Sequence, residues 1–311
     1  MNEVELLARL LPALPRNDSV VVAAGDDCAV LDLGAPDYVL FKTDAVVEGV
    51  HFTSETPPEK VGRKALARCL SDIAAMAGKP NSALVTVALP KDFSSEKVEA
   101  IYAGLNALAA QHGVAIVGGE TTTSPGAMLI SIALLGTVAK ERCVLRSGAT
   151  AGDAIFVTGT LGGSLRGRHL DFEPRLAEAR WLRERFEIHA MIDLSDGLAS
   201  DLRHILKASH VGAELLAKTI PISRVAKMAA REESSAKPPL LAALTDGEDF
   251  ELLFTARSKD AVSLMDGWRK QFPDVPLTCI GKIVTEPGLR LRDHAGVKNL
   301  TAHGYTHFAK S

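Results

Sequence analysis

Carboxylates recur along this chain in short segments rich in Gly, Ser or Thr, and those segments are where its chemistry is to be sought. Gly25-Asp26-Asp27-Cys28-Ala29 sets two acids side by side, which repel unless solvent, a donor or a cation offsets them. Lys42-Thr43-Asp44 follows an apolar run, so Asp44 is expected at a strand end, where α/β sheets meet their ligands. Glu48-Gly49-Val50-His51-Phe52 comes next, and Ser71-Asp72 falls inside a helical pattern. Gly118-Gly119-Glu120-Thr121-Thr122 joins paired glycines, which let a backbone pass close to a ligand, to a carboxylate. Ile192-Asp193-Leu194-Ser195-Asp196-Gly197-Leu198 packs two acids and a serine into one expected turn before a helix.

Taken singly, these segments have ordinary readings: a solvated turn at Asp27, a half-buried core histidine at His51, a cap or kink at Asp72. A helix N-cap accounts for one acid and one serine near Asp193, but not for two acids and a serine. A site for Mg²⁺ and phosphate accounts for the set. Mg²⁺ takes oxygen ligands and holds phosphates through one or two carboxylates and waters. The chain has no GxxxxGK[ST] loop, no GxGxxG fingerprint, no GxSxG elbow and no HExxH pair, which removes the commonest nucleotide, hydrolase and zinc-protease readings.

The elements that must position these residues follow from periodicity. Short apolar runs predict strands at Tyr38–Lys42, Asn81–Leu89, Val114–Val117, Met128–Val138, Ala154–Thr158, Ala190–Ile192, Phe250–Phe254, Leu277–Ile283 and Leu289–Leu291. Apolar residues at helical spacing predict helices over Glu59–Ala77, Ser94–His112, Pro174–Phe186, Leu198–Ser209 and Ile222–Ser235. The opening residues form a short amphipathic helix ending near Pro12 or Pro15. Arg146–Asp153 reads as a connector, so two domains are expected, 1–140 and 150–311. Arg166–Asp171 reads as a solvated loop, with a lid over phosphate as the alternative. The aromatic ending His303–Phe308 is expected to dock.

The 311 residues carry 35 basic and 38 acidic side chains, a formal charge of −3, which excludes a strongly basic nucleic-acid binder. The four cysteines lie far apart, with no zinc or redox spacing, and read as reduced thiols. The absence of a basic leader and of a long apolar run predicts a cytoplasmic protein without a membrane span.

The stretches GDDCAVL, KTDAVVEGVHF, LSDIAAMAGKP, VGGETT, RSGATAGD, IDLSDGLASDL, DGEDFELLF, TCIGKI and GYTHF occur over nearly the whole chain. Together they resemble the thiamine-monophosphate kinase family, in that family's order. The resemblance implies a two-domain α/β (α+β type) fold like that of aminoimidazole ribonucleotide synthetase. A mixed-sheet N-terminal domain would bind ATP and Mg²⁺ and pair across a homodimer. An α+β C-terminal domain would carry substrate residues. It implies transfer of the ATP γ-phosphoryl group to thiamine monophosphate with several Mg²⁺ ions, and no nucleic-acid or membrane partner. Asp27, Lys42, Thr43, Asp44, Asp72, Glu120, Asp193 and Asp196 match its metal sites. Gly119, Glu120, Arg146 and Ser195 fall at ATP positions, and His51, Glu248 and Tyr305 at acceptor positions. Asp193, Asp196 and Arg146 are the expected catalytic groups, and six of the carboxylates are expected to converge in one cleft.

Three positions depart from the family pattern. Glu120 stands where Asp is usual, Lys42 where Ser or Thr is frequent, and Asp246 replaces a glycine, which would narrow a ring pocket. Two further readings stay open: another ATP-dependent enzyme of the same superfamily, with a different acceptor, and a non-catalytic nucleotide-binding protein.

Overall fold

Residues alternate between core and surface along the longest strands, and that alternation decides which side chains share a face. The computed structural model describes residues 3–305. A short helix α1 (Glu3–Leu10) precedes strands β1 (Val20–Val22), β2 (Ala29–Leu31) and β3 (Asp37–Val47). Helix α2 (Pro58–Ala75), β4 (Lys79–Leu89), helix α3 (Ser95–His112), β5 (Ala115–Thr123) and β6 (Leu129–Ala139) follow. The six strands form a mixed sheet in the order β1-β2-β3-β6-β4-β5, with β4 and β5 parallel.

On β6, Ile130, Ile132, Leu134 and Val138 are buried, as are Ala83, Val85, Val87 and Leu89 on β4. Two-residue periodicity puts these on the face covered by α2. Nearly all of α2 is buried, because it lies between that face and α3. Helix α3 starts where Ser94 Oγ accepts the Lys97 N–H at 3.2 Å and stops at Gly113, whose φ of +67° reverses the chain. The helices cross closely through glycines. A Cβ on Gly62 would lie 1.8 Å from the Ile101 carbonyl oxygen, and one on Gly104 would lie 1.9 Å from that of Glu59.

The later part of the chain contains β7 (Asp153–Thr158), α4 (Arg168–Asp171), α5 (Leu176–Arg185), β8 (Ile188–Asp193), α6 (Leu198–Ser209) and β9 (Gly212–Leu216). Helices α7 (Arg224–Glu232) and α8 (Pro239–Thr245), β10 (Leu252–Arg257), α9 (Ala261–Gln271), β11 (Leu277–Val284), β12 (Gly288–Asp293) and β13 (Gly296–Asn299) complete it. Its seven strands run in the order β13-β12-β9-β11-β7-β10-β8, antiparallel except for β9 with β12. One face carries Ile155, Val157, Ile192, Leu253, Ile280 and Ile283, packed with Leu198, Leu202 and Ile205 of α6. The scarce aromatics are concentrated elsewhere. Trp181 of α5 meets Trp268 of α9 edge-on at 5.9 Å, and Phe186 and Phe272 join them.

The chain divides into two compact units. One is Ser19–Cys143 together with His169–Leu176; the other comprises the residues before Ser19, Val144–Arg168, and the chain from Ala177 on. The division is therefore not a single cut near residue 140: α1 groups with the later unit, and a short excursion at 169–176 with the earlier one. Among the described residues no helix is long and apolar enough to cross a membrane, and all four cysteines are free thiols.

Two expectations need correction. Strand β3 does not end at Asp44 but continues to Val47, because every residue from Asp37 to Val47 finds a partner on β6. Likewise the Gly118-Gly119-Glu120 segment does not lie beyond the end of the strand expected over Val114–Val117. It lies inside β5, which pairs with β4 through to Thr123. Gly119 is needed there because a Cβ would stand 1.8 Å from the Val85 carbonyl oxygen.

The helix crossing yields a direct test. Gly62→Ala sets a methyl against rigid backbone on α3, and overpacking of this kind is expected to lower stability by about 1–3 kcal/mol, read as a lower denaturant midpoint. An unchanged midpoint would show that the two helices move apart without penalty.

Candidate active site

In the earlier unit, register separates residues that are adjacent in sequence. Lys42 and Asp44 share the face of buried Leu40 and Val46, beneath α2, whereas Thr43 points to the opposite, open face. Helix α2 meets them with Arg68 and Asp72, one turn apart on one side of the helix. Arg68 Nε lies 3.0 Å from Asp44 Oδ2, and Lys42 Nζ lies 2.9 Å from Asp72 Oδ1. Burial by itself would lower the Lys42 ammonium, but Asp72 and Asp44 outweigh it and push the group up, so Lys42 stays charged.

Asp27 is also buried, and it and Asp72 each offer a carboxylate oxygen within 4.8 Å of the other's. Two neighbouring buried carboxylates form an oxygen-donor set suited to a hard cation. The nearby thiols do not compete as soft ligands. Burial, then Asp72, pushes Cys28 up, and burial, then Asp44, does the same to Cys69, so both remain protonated. The donor chemistry therefore fits Mg²⁺ and argues against zinc.

On the open face, Glu120 of β5 pairs with Thr86, which pairs with Ser131, and Thr43 Oγ1 lies 3.4 Å from Ser131 Oγ. Glu120 and Thr43 thus belong to one polar strip, on the opposite side of the sheet from Lys42, Asp44 and Asp72. Glu120 is exposed and its Oε1 accepts the Thr121 N–H at 3.1 Å.

His51 follows β3 in a tight turn, where its Nδ1 accepts the Val47 N–H at 3.1 Å. The neutral ring therefore carries its proton on Nε2, which leaves that atom as a donor. Beneath this turn Lys64, fully buried in α2, donates to the His51 carbonyl oxygen at 2.7 Å and stands 2.7 Å from His169 Nδ1.

In the later unit, Asp193 is the buried last residue of β8, and Leu194–Gly197 form the loop into α6. Asp201, in the first turn of α6, reaches back to this loop. Its Oδ2 accepts the Asp196 N–H at 3.1 Å and the Gly197 N–H at 3.0 Å. Burial, reinforced by Asp196 and Asp193, pushes the Asp201 carboxyl up, and Arg146 acts the other way. Asp196, Asp201 and His204 offer ligand atoms within 4.8 Å of one another. Arg146 is anchored through its carbonyl oxygen, which accepts Ser209 Oγ–H at 3.3 Å.

The same loop gathers the expected acceptor residues by backbone contacts. Glu248 N–H donates to the Ser195 carbonyl oxygen at 2.7 Å, and Tyr305 N–H donates to that of Asp196 at 3.0 Å. Gly304 N–H donates to Ser200 Oγ at 2.8 Å, and a Cβ on Gly304 would lie 1.7 Å from the Asp196 carbonyl oxygen. The ending therefore docks as far as Tyr305; Thr306, His307 and Phe308 lie outside the described residues. Asp246 is held by two partners where it lines a recess. Its carboxylate accepts the Gly163 N–H at 2.9 Å and faces Lys237 Nζ at 2.9 Å, in a recess of about 350 Å³ floored by Ala226, Ala229 and Ala242.

Sequence reasoning did not single out Arg68, Lys64 and Asp201. Helical spacing placed Arg68 and Lys64 on α2 but gave no sign of what lay opposite, and Asp201 was hidden within a helix pattern. Arg166–Asp171 is not merely a solvated loop. Arg166 makes a two-pronged pair with Glu233 at 2.7 Å, and Arg168 contacts buried Glu251.

Mixed-sheet and α+β units with carboxylates buried at strand and helix ends define the class. Residues 25–138 match the family described as AIR synthase related protein, N-terminal domain. A thiamine-monophosphate kinase from Rhodopirellula baltica is 43% identical over 296 residues, covering 92% of this chain and 91% of the relative. The solved structure "AaThiL complexed with AMPPCP and TMP" superposes with a TM-score of 0.81 at 30% identity, over 99% of this chain and 97% of that one. The thiamine-monophosphate kinase structure from Stenotrophomonas maltophilia gives 0.73 at 33% identity, over 93% and 94%. The chain belongs to the thiamine-monophosphate kinase family.

One carboxyl beside the site makes a pH prediction. Burial pushes Asp249 up to about 7, opposed by the Gly162 N–H and by Arg168. The folded-state value lies above the roughly 3.9 of an unfolded aspartate, so protonation favours the folded state. This contribution is complete below about pH 4 and is lost as the pH rises through about 7. Asp249→Asn is expected to flatten that part of the stability curve, measured by urea midpoints across the range. An unaltered pH profile would place the titration elsewhere.

Proposed function

We propose that this chain transfers the γ-phosphoryl group of ATP to thiamine monophosphate, giving thiamine diphosphate and ADP. The observation that carries this reading is the backbone ladder that ties Ser195 and Asp196 to Glu248 and Tyr305. A kinase must hold a nucleotide and an acceptor in fixed register, and one loop here anchors candidates for both. Membership of the family supplies the substrate class, and the likeness to a structure with AMPPCP and TMP supports it.

The transfer is direct. An acceptor phosphate oxygen forms a bond to the γ-phosphorus as the bond to the β,γ-bridging oxygen breaks, and ADP leaves. A phosphate monoester is already anionic near neutral pH, so no strong base is required. The difficulty is the repulsion between two anions. Asp27, Asp44, Asp72, Glu120, Asp193 and Asp196 are the residues that would hold Mg²⁺, with Lys42 beside Asp72 on the α2 face of the sheet and Thr43 on the same open-face strip as Glu120. Mg²⁺, when bound, neutralises and orients phosphate oxygens. Arg146 adds a fixed positive charge toward the nucleotide. Gly119 lets its strand approach the nucleotide closely, and Ser195 contacts it without becoming phosphorylated. His51 donates from Nε2 to the acceptor phosphate. Glu248 faces the cationic part of thiamine, and Tyr305 packs on a ring.

We infer that the part through about residue 140 serves mainly ATP and Mg²⁺, and that the part from about 150 carries acceptor residues together with Asp193, Ser195 and Asp196. The open face of the six-stranded sheet is the surface a second copy covers. It exposes Phe41, Leu84 and Leu135 together, at 46%, 48% and 40%, an apolar patch that a homodimer would bury. The net charge of −3 does not favour a nucleic-acid partner, and a cytoplasmic setting agrees with the free thiols.

Protein incubated with ATP, Mg²⁺ and thiamine monophosphate is expected to yield thiamine diphosphate, detected by the fluorescence of its oxidised form. Absence of product sinks the assignment, and ATP consumption only with another acceptor favours a different member of the superfamily. Asp193→Asn is expected to abolish turnover while leaving the melting temperature near wild type. Leu135→Asp is expected to give a monomer in sedimentation velocity. A wild-type chain that is monomeric while active would remove the dimer from the reading.

A further inference from the structure

Arg168 has no part in the mechanism above, yet it sits at the centre of a buried network. Its guanidinium donates to the Thr160 carbonyl oxygen at 2.7 Å, to the Asp249 carbonyl oxygen at 3.2 Å, and to Glu251 Oε1. It also lies 3.9 Å from Asp249 Oδ1. Asp249 is 1% exposed and Glu251 0%. Each has further donors: Gly162 N–H at 3.0 and 3.1 Å on Asp249, and Thr158 Oγ1 at 2.6 Å on Glu251. The fit is close, since a Cβ on Gly159 would stand 1.9 Å from Glu251 Oε1.

These two carboxylates alternate along the chain with two residues in an unfavourable backbone conformation. Glu248 has φ of +53° and Phe250 has φ of +48°, in the left-handed region where side chains other than glycine are uncommon. Such a conformation persists only where its surroundings over-determine it. The hydrogen bonds here do so. Glu248 N–H reaches Ser195 O, Phe250 N–H reaches Leu194 O at 2.8 Å, and buried Ser164 donates its Oγ–H to the Glu248 carbonyl oxygen at 2.7 Å. Asp249 and Glu251, both buried, lie on the same short segment as these bonds. Of the two buried acids that flank Phe250, Glu251 is answered directly by Arg168, while the Asp249 carboxylate is held by the Gly162 N–H with Arg168 3.9 Å away.

We propose that Arg168 is a positioning residue for the acceptor: by holding Asp249 and Glu251 in the interior, it keeps Glu248 in the left-handed conformation that presents its carboxylate to the cationic part of thiamine monophosphate. The proposal rests on the reading that Glu248 meets the acceptor. It assigns Arg168 to acceptor affinity and not to the nucleotide, because its contacts go to Thr160, Asp249 and Glu251 and to no candidate ATP residue.

The test measures KM for each substrate separately, with kcat and melting temperature, on full-length protein. Arg168→Lys keeps the charge but not the planar fork that reaches three partners at once. It is expected to raise KM for thiamine monophosphate about tenfold while KM for ATP stays within about twofold, a split of about 1.4 kcal/mol. Where the lysine variant fails to fold, Arg168→Gln is measured in its place and is expected to show the same split. A folded variant with unchanged KM for thiamine monophosphate overturns the proposal, and so does an equal rise in both KM values. Glu248→Gln separates the two layers of inference. If it raises KM for the acceptor and the Arg168 variants do not, the positioning role alone is wrong. If it leaves KM unchanged, the reading of Glu248 falls and the proposal with it.

Discussion

The repulsion between buried carboxylates is the constraint to which the rest of this structure answers. Asp27, Asp72, Asp193, Asp201, Asp249 and Glu251 are all less than a tenth exposed. An ionised carboxylate out of water is strongly unfavourable unless it is paired, hydrogen-bonded or protonated. The chain uses all three remedies. Lys42 and Arg68 face Asp72 and Asp44, backbone N–H groups face Asp201, and burial pushes Asp201 and Asp249 toward their neutral forms. Within the earlier unit, buried Asp27 and Asp72 are the pair whose oxygen-donor chemistry suits the proposed divalent cation.

Rigid elements make the array possible. Helix α2 is clamped between the six-stranded sheet and α3, with glycines at the crossing that leave no room for a methyl. That clamp fixes where Arg68 and Asp72 stand over β3. In the later unit the carboxylates stand at the junction of β8 and α6, and Asp201 ties the intervening loop down from within the helix. Stiff positioning matters in phosphoryl transfer, where little covalent chemistry is left to the protein and most of the catalysis is placement and charge.

The departures from the family pattern become physically intelligible. Lys42 does not replace a hydroxyl ligand in kind. It answers Asp72 directly, so a cation arriving there meets a carboxylate that already has a partner. Glu120, one methylene longer than the usual Asp, is exposed on an edge strand. Asp246 ties the end of α8 to the Gly163 N–H and to Lys237.

By itself, the sequence determined the acidic segments, the family they resemble, and the helices at 58–75, 95–112 and 198–209 within a residue or two. Those elements are long or strongly periodic, and short-range spacing is enough to define them. It did not reveal β1, β2, β9, β13, α4, α8 or α9, whose patterns are short or mixed. Nor could it show that β3 runs through Asp44 and β5 through Glu120, since strand length there depends on partners distant in the chain. Only the tertiary structure decided that Thr43 and Asp44 look to opposite faces of one sheet and that Arg168 serves two acids more than eighty residues away. Charge pairing between distant segments leaves no periodic trace in a sequence, because it is set by how sheets register and helices dock.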